Sequence, residues 1–225
     1  MMDAQFWTTM ALTFKLAVVT TIILLFIGVP LAYFLASTRS RFKPIIETVV
    51  SMPLVLPPTV LGFYLLVAFS SEHAFGKFCE EVLGFRLPFT FEGLVLGSAI
   101  FSLPFMVHPI QAGLQNLPKS LTEAAQMLGK SRTSILFRVL LPNIKPSLLT
   151  GIVITFAHTV GEFGVVLMIG GNIPGETRVA SIAIYDEVEA LNYDIANHYA
   201  LILFAVTFSI LLVVYLVNRS FMQKM

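Results

Sequence analysis

The sequence has little charge and almost no cysteine. Only 12% of its 225 residues are charged, whereas soluble domains carry about 25%. Since so few charges cannot cover a surface that faces water, the 56% apolar share and the mean hydropathy of +0.85 indicate a membrane protein. Cys79, the single cysteine, excludes an internal disulfide framework and a multi-thiolate metal site. The net charge of +1 gives no basic field for nucleic acid.

The sequence also lacks the motifs of hydrolytic enzymes. It contains no Gly-x-Ser-x-Gly elbow, no His-Glu-x-x-His pair and no paired carboxylates in an apolar stretch. An intramembrane enzyme is therefore a poor interpretation. The Walker motif Gly-x4-Gly-Lys-Ser/Thr is absent too. We therefore expect no cofactor on this chain, and any ATP must be hydrolysed on another subunit.

Long apolar segments dominate the sequence. A membrane-spanning helix needs about 20 apolar residues, and five segments meet this requirement, at about 13–36, 46–70, 91–114, 147–170 and 196–217. No internal repeat or second domain is evident. The sequence predicts an all-α, polytopic transmembrane bundle of about five spans, forming a single domain over residues 1–225.

The distribution of Lys and Arg predicts the orientation. Placing the N-terminus outside assigns ten of these residues to the inner segments and four to the outer ones. The inner ones are Arg39, Arg41, Lys43, Lys119, Lys130, Arg132, Arg138, Lys145, Arg219 and Lys224. Because short cytoplasmic loops are enriched in Lys and Arg, we expect the C-terminus in the cytoplasm. The segment 176–195 is too short and too charged to span, and we expect it to form an outer-face helix.

Prolines and a few polar residues interrupt the apolar segments. Pro53, Pro57 and Pro58 are expected to break the second span, and Pro104 and Pro109 the third. Such breaks free carbonyl groups, so they line a cavity or pack against protein rather than lipid. A pathway or gate is predicted from the interrupted or polar positions Pro53, Pro57, Pro58, Thr59, Ser102, Pro104 and Glu162. His158 and Glu162 lie four residues apart, so within one helix their side chains could pair on the same face. We expect Glu162 to have either a structural role or a gating role.

The inner loop 115–146 carries the most specific signal. Ser120 and Glu123 are spaced as a capping box at the start of a short helix. Gly129 is suited to end that helix, and Leu121, Ala125 and Leu128 are expected to form one apolar edge. A second helical run is predicted from Ser131 to Pro142. A helix of about eight residues is marginal in water, so either a partner or the membrane surface must stabilise it.

This loop resembles a known family. Glu123-Ala124-Ala125, then Gly129, Val139 and Leu141-Pro142 resemble the "EAA" loop of bacterial ABC importer permeases, in which Ile is usual at the position of Val139. Four further stretches resemble the permeases for molybdate and tungstate. They begin at Pro53, Ser102, Gly161 and Gly171, and read PLVLPPTVLG, SLPFMV, GEFG and GNIPGET. The resemblance extends over nearly the whole chain.

The resemblance implies partners and a mechanism. Ser120, Glu123, Ala124, Ala125, Leu128 and Gly129 would dock into an ATPase subunit that binds ATP and Mg²⁺. The complex would contain a homodimer of this chain, two ATP-binding subunits and an external oxyanion-binding protein, in a bacterial inner membrane. Alternating access would move molybdate, or tungstate, across the membrane. Permeases for sulfate or thiosulfate, or of the methionine type, are alternatives within the superfamily, and a gated channel that works without ATP is an alternative outside it.

Overall fold

The computed structural model describes residues 4–82 and 84–222, with side chains described up to 216. Its helices are α1 Ala4–Ser37, α2 Lys43–Val55, α3 Pro58–Phe69, α4 Ala74–Glu81, α5 Phe91–Gln115, α6 Lys119–Met127, α7 Arg132–Ile135, a π-helical turn Leu136–Leu140, α8 Leu141–Asn143, α9 Lys145–Val160, α10 Gly164–Gly170, α11 Ala180–Glu189 and α12 Tyr193–Met222. No strand occurs within these ranges, so the all-α prediction is confirmed. Lys224 and the side chain of Arg219, two of the predicted inner cations, lie outside the described part.

Three helices, α1, α5 and α12, are long and apolar enough to cross a membrane. Two bent pairs of helices raise the possible number of spans to five. In the first pair, α2 and α3 meet at 113°; in the second, the segment Arg132–Asn143 meets α9 at 85°. The predicted five spans agree with this upper number. The bends show that two of them are not straight rods.

The core of the bundle lies where α1, α5 and α9 pack together. A Cβ atom on Gly28 would lie 2.7 Å from Cγ of Met106, and one on Gly151 would lie 3.1 Å from the Met106 carbonyl oxygen. The absence of side chains at these two glycines therefore lets three helix backbones converge on one residue. Close approach through small residues is the usual source of packing energy between membrane helices.

The prolines act differently from their predicted roles. The second span does break, but at Leu56 and Pro57, while Pro53 lies buried inside α2. The predicted break of the third span is wrong, because α5 runs continuously through Pro104 and Pro109. Thirteen buried residues of α5 pack against neighbouring helices, and this packing outweighs the two hydrogen bonds that the prolines remove.

The fourth predicted span is divided between two helices. α9 ends at Val160, and after a turn at 161–163 the shorter α10 begins at Gly164. α10 packs against α3 and α5. The segment 176–195 contains α11, a ten-residue helix, so the predicted short helix is present. The turn between α9 and α10 places polar groups beside the break between α2 and α3.

Candidate functional site

The loop helix α6 begins without the predicted capping box. Its N-cap residue is Pro118, no side chain caps the first turn, and Ser120 lies inside the helix. An N-cap residue needs an extended backbone. Pro118 has it, with φ −59° and ψ 133°, and so takes the place predicted for Ser120. Glu123 is consequently free of a capping contact, and its side chain is exposed.

The end of α6 follows the prediction. Gly129 has φ +68°, which is the left-handed region that glycine adopts without strain. The Lys130 N–H donates to the Ala125 carbonyl at 3.2 Å, and the Gly129 N–H donates to the Gln126 carbonyl at 2.9 Å. These two bonds form a Schellman motif. Gly129 therefore turns the chain sharply toward α7.

The side chains of α6 face two ways. Ala125 is buried against the inner core cluster, whereas Met127 is 90% and Leu128 76% exposed. The predicted common edge of Leu121, Ala125 and Leu128 is therefore wrong for Leu128. Ala124 is also exposed. The outer face of α6, formed by Glu123, Ala124, Met127 and Leu128, has apolar groups with no cover in the described part of this chain.

The second helical run of the loop anchors α6 to the bundle. It begins after Ser131, as predicted, and the Ser131 hydroxyl accepts a hydrogen bond from the Ser134 N–H at 3.3 Å. Ile135, Leu136 and Leu140 are buried in the same core cluster as Ala125. The run continues past Pro142 to Asn143. These buried side chains therefore connect α6 to the bundle.

A polar cleft of about 430 Å³ separates α6 from the C-terminal end of α1. Its polar and charged lining is Tyr33, Ser37, Thr38, Arg39, Gln115, Lys119, Thr122, Glu123 and Gln126. The cleft is bordered by two charged elements, the 38–42 turn and α6. It lies at the face that carries the predicted docking residues.

A second cavity, of about 540 Å³, lies at the breaks between α2 and α3 and between α9 and α10. It is lined by Pro58, Thr59, Phe101, Ala157, His158, Gly161, Glu162, Phe163 and Gly164. The first turns of α3 and α10 touch here, since a Cβ atom on Gly164 would lie 2.8 Å from Cβ of Pro58 and 3.1 Å from the Thr59 nitrogen. Broken helices that meet at a cavity are the arrangement through which many transporters pass their substrate.

Glu162 lies in the wall of this broken-helix cavity and is 4% exposed. Among the described residues, neither of its carboxylate oxygens has a hydrogen-bond partner. The predicted pairing with His158 is therefore wrong, because the His158 imidazole bonds to Ser102 instead. The Glu162 backbone is fixed by the Ser181 hydroxyl, which donates to its carbonyl at 2.6 Å.

The other predicted pathway residues divide into two groups. Pro57, Pro58 and Thr59 are exposed, and the last two line the cavity. Pro53, Ser102 and Pro104 are buried, and the Ser102 hydroxyl lies 2.9 Å from Nδ1 of His158 and 3.1 Å from Oγ1 of Thr159. Ser102 therefore does not line the cavity in this structure but lies behind His158. A pathway role for Ser102 stays a prediction.

Two polar pairs were not predicted from the sequence. His108 Nε2 lies 3.1 Å from the Ser51 hydroxyl, and the Gln111 amide donates to Glu47 at 2.7 Å. Both pairs join α2 to α5. Polar residues in apolar spans are the only signal for them, because the partners are 57 and 64 residues apart. Within the described ranges, no group of three or more His, Cys, Asp or Glu residues could hold a metal ion.

Membrane-length helices, a cavity between broken helices and an uncovered loop helix together define a membrane transport subunit. The chain belongs to the family of binding-protein-dependent transport system inner membrane components, which it matches over residues 25–225. It is therefore the permease subunit of an ABC importer and an inner-membrane protein.

Relatives and solved structures agree with this family. The chain is 48% identical to the molybdenum transport system permease protein ModB of Azotobacter vinelandii, over 81% of this chain and 80% of that one. It is 32% identical to a probable sulfate transport system permease protein of Zygnema circumcarinatum, over 92% of this chain and 73% of that one. The crystal structure of a bacterial ABC transporter that imports alginate matches with a TM-score of 0.79, over 97% of this chain and 80% of that one, at 19% identity. This likeness shows the fold.

Proposed function

We propose that this permease translocates molybdate, delivered by an external oxyanion-binding protein, by ATP-driven alternating access. The observation that carries the ATP-driven part is α6, whose outer face exposes Met127 and Leu128 although its inner residue Ala125 packs on the core. Exposed large apolar groups on a short, rigidly terminated helix are typical of a docking surface. A cytoplasmic ATPase subunit is the partner that this surface fits.

Coupling then follows from the anchoring of the loop. ATP and Mg²⁺ bind on the partner subunits, and closure of the two ATPases moves both docked α6 helices. Because Ala125 shares a core cluster with Ile135 and Leu140, displacement of α6 shifts the inner ends of the long helices. Packed cores have discrete arrangements rather than continuous ones. The bundle therefore switches between an inward-open and an outward-open state.

A homodimer completes the assembly. One chain carries one coupling loop, so two copies are needed to engage two ATP-binding subunits. In each copy the N-terminus lies outside and the C-terminus in the cytoplasm, as the distribution of Lys and Arg indicates. The exposed apolar surfaces of α2, α3 and α12, including Val55, Tyr64 and Phe204, supply area for lipid and for the second copy.

The identity of the substrate rests on the relatives. The 48% identity to a molybdenum permease exceeds the 32% identity to a sulfate permease, which makes molybdate the better choice and sulfate the alternative. Tungstate has the same tetrahedral dianionic form, so we expect it to follow the same path. The described lining of the broken-helix cavity contains no Lys or Arg, which is consistent with a path that releases its cargo rather than a deep binding site.

Reconstitution tests the substrate. The permease, its ATPase and its binding protein are placed in liposomes, and ATP-driven uptake of labelled molybdate is measured. We expect unlabelled molybdate and tungstate to compete strongly and sulfate weakly. Stronger competition by sulfate than by molybdate would overturn the assignment in favour of the alternative.

A charge reversal tests docking. Glu123→Arg changes the exposed face of α6 without disturbing a bond within the chain, so we expect it to abolish co-purification with the ATPase and uptake. Glu189→Arg is the matched control, because Glu189 is also exposed but lies on α11. Retention of the ATPase by Glu123→Arg would exclude α6 as the docking element.

A further inference from the structure

His158 is fixed on one side and faces the broken-helix cavity on the other. Its Nδ1 atom lies 2.9 Å from the Ser102 hydroxyl. Its ring stacks on Phe105, with centroids 4.0 Å apart and planes at 29°, and contacts Phe101 at 4.9 Å. The side chain is half-buried and forms part of the cavity wall. With Nδ1 engaged, Nε2 is the ring nitrogen left for the cavity.

The hydroxyl groups behind His158 determine which nitrogen carries the proton. The Thr159 hydroxyl donates to the Thr155 carbonyl at 3.0 Å. Since a hydroxyl has one hydrogen, Thr159 must accept, and Ser102 must donate, in the 3.1 Å contact between them. The hydrogen of Ser102 is then used, so its oxygen accepts from His158. Nδ1 therefore carries a proton.

This tautomer decides what Nε2 presents to the cavity. A neutral ring protonated at Nδ1 has a bare lone pair at Nε2, which accepts hydrogen bonds but cannot donate one to an anion. A second proton turns the ring into a cation that donates from Nε2. Among the residues that line the cavity, His158 is the only one able to carry a positive charge, because the described lining contains no Lys or Arg.

We propose that His158 contacts the oxyanion in this cavity as an imidazolium that donates a hydrogen bond from Nε2–H, an inference that rests on the proposed function. The proton comes from water, binds Nε2 as the dianion enters and returns to water as it leaves, without any covalent step. The Thr59 hydroxyl, exposed in the same cavity, is a second donor. Ser102 and Thr159 act as positioning residues, since they fix the ring and its tautomer.

One further titratable group faces this ring. Glu162 lines the same cavity. The residues facing His158 from α5 and α3, namely Phe101, Ser102, Phe105, Pro58 and Thr59, carry no charge. A single imidazolium therefore offsets only half of the charge of the dianion. This arrangement favours passage over tight retention.

Two amide substitutions separate the cavity role from the packing role. The Asn amide of His158→Asn lies near the position of Nδ1 and keeps the bond to Ser102, whereas the Gln amide of His158→Gln reaches the position of Nε2 and provides a permanent neutral donor. The experiment uses the complete transporter with its ATPase and binding protein in liposomes. The kcat and KM of ATP-driven molybdate uptake are measured between about pH 6 and pH 8.

The expected results differ for each variant. In the unmodified protein, the KM for molybdate rises as pH increases, because Nε2 must take up a proton when the dianion binds. His158→Gln keeps a KM near the low-pH value and loses the pH dependence. His158→Asn loses the donor toward the anion, and its KM rises about tenfold or more, as expected for a hydrogen bond to a charged group. Ser102→Ala gives an intermediate KM and a flattened pH profile.

The opposite pattern overturns the proposal. If His158→Asn keeps the normal KM and pH profile while His158→Gln loses uptake, the residue acts through Ser102 and packing. If both variants keep the normal KM and pH profile of molybdate uptake, His158 has no part in the translocation path. Should His158→Asn fail to assemble with the ATPase, His158→Gln and Ser102→Ala still decide the question through their pH profiles. Absence of molybdate uptake by the unmodified complex contradicts instead the proposed function.

Discussion

Two short helices outside the long ones, α6 and α11, have similar lengths but opposite environments. α6 has nine residues and α11 has ten. Isolated helices of this length are marginal in water. Each therefore needs contacts beyond its own backbone, and the two helices obtain them differently.

α11 obtains its contacts from its own chain. Ile182 and Ala183 are fully buried, and the Ala180 N–H donates to the Thr13 hydroxyl of α1 at 2.8 Å. Just before the helix, Arg178 lies 3.1 Å from Asp186, within ion-pair distance. These apolar, hydrogen-bond and charge contacts make α11 an integral part of the bundle.

α6 lacks such contacts over most of its surface. Ala125 is its one buried residue, and its first turn has no side-chain cap. The exposed Met127 and Leu128 remain uncovered by the described part of the chain. The comparison shows that α11 is completed within the protomer, whereas α6 keeps an apolar face that the described part of the chain leaves uncovered and that we propose an ATPase subunit covers. Substitutions that affect stability in one helix and docking in the other test this difference.

The largest effect is expected from Ile182→Ala in α11. Removal of a fully buried side chain leaves a cavity and costs about 2–5 kcal/mol of unfolding free energy. We expect a clearly lower Tm for the purified protein in detergent, with unchanged ATPase affinity of the folded fraction. Val188→Ala is the control, because Val188 lies on the same helix but is 40% exposed. An equal loss of Tm in both variants would contradict the buried role of α11.

An intermediate effect is expected from Gly129→Val at the end of α6. A β-branched residue in the left-handed conformation costs about 1–2 kcal/mol, and the strain distorts the angle between α6 and α7. We expect ATPase binding to weaken by about tenfold, the equivalent of about 1.4 kcal/mol. Gly129→Asn should retain binding, because Asn tolerates this conformation.

Gly175→Val is the matched control for strain without docking. Gly175 has φ +81°, and, as at Gly129, no atom lies within 4 Å of the position that a Cβ atom would take. It differs from Gly129 in lying in the loop before α11. We expect Gly175→Val to leave ATPase binding unchanged. Equal weakening by the two valine variants would mean that α6 has no special part in docking.

The sequence predicted the helices well because long apolar segments, and a glycine such as Gly129 at the end of a helix, are local signals. The all-α class, the short helix within 176–195 and the start of the second loop helix at Ser131 were all predicted correctly. The docking and pathway roles stay predictions. The continuity of α5 through Pro104 and Pro109 could not be predicted, because it depends on packing against neighbouring helices.

The contacts of the cavity were the least predictable part. His158 and Glu162 have the spacing of a helical pair, but α9 ends at Val160, so the spacing no longer describes their geometry. The partner of His158 is Ser102, 56 residues away. Pairings over such distances depend on how α5 and α9 pack, and one sequence contains no direct signal for them.

The smallest effect is expected at two serines, Ser131 at the N-cap of α7 and Ser120 in the first turn of α6. Ser131 caps α7 through the Ser134 N–H, so Ser131→Ala should cost about 1 kcal/mol locally and weaken ATPase binding a few-fold. Ser120→Ala removes no cap, because Pro118 occupies the N-cap of α6, and Ala favours a helix interior. We therefore expect Ser120→Ala to bind the ATPase as the unmodified protein does, measured by co-purification at matched subunit concentrations. If Ser120→Ala weakened ATPase binding more than Ser131→Ala does, Ser120 would cap α6 after all. The contrast between an uncapped α6 and a capped α7 would then be wrong.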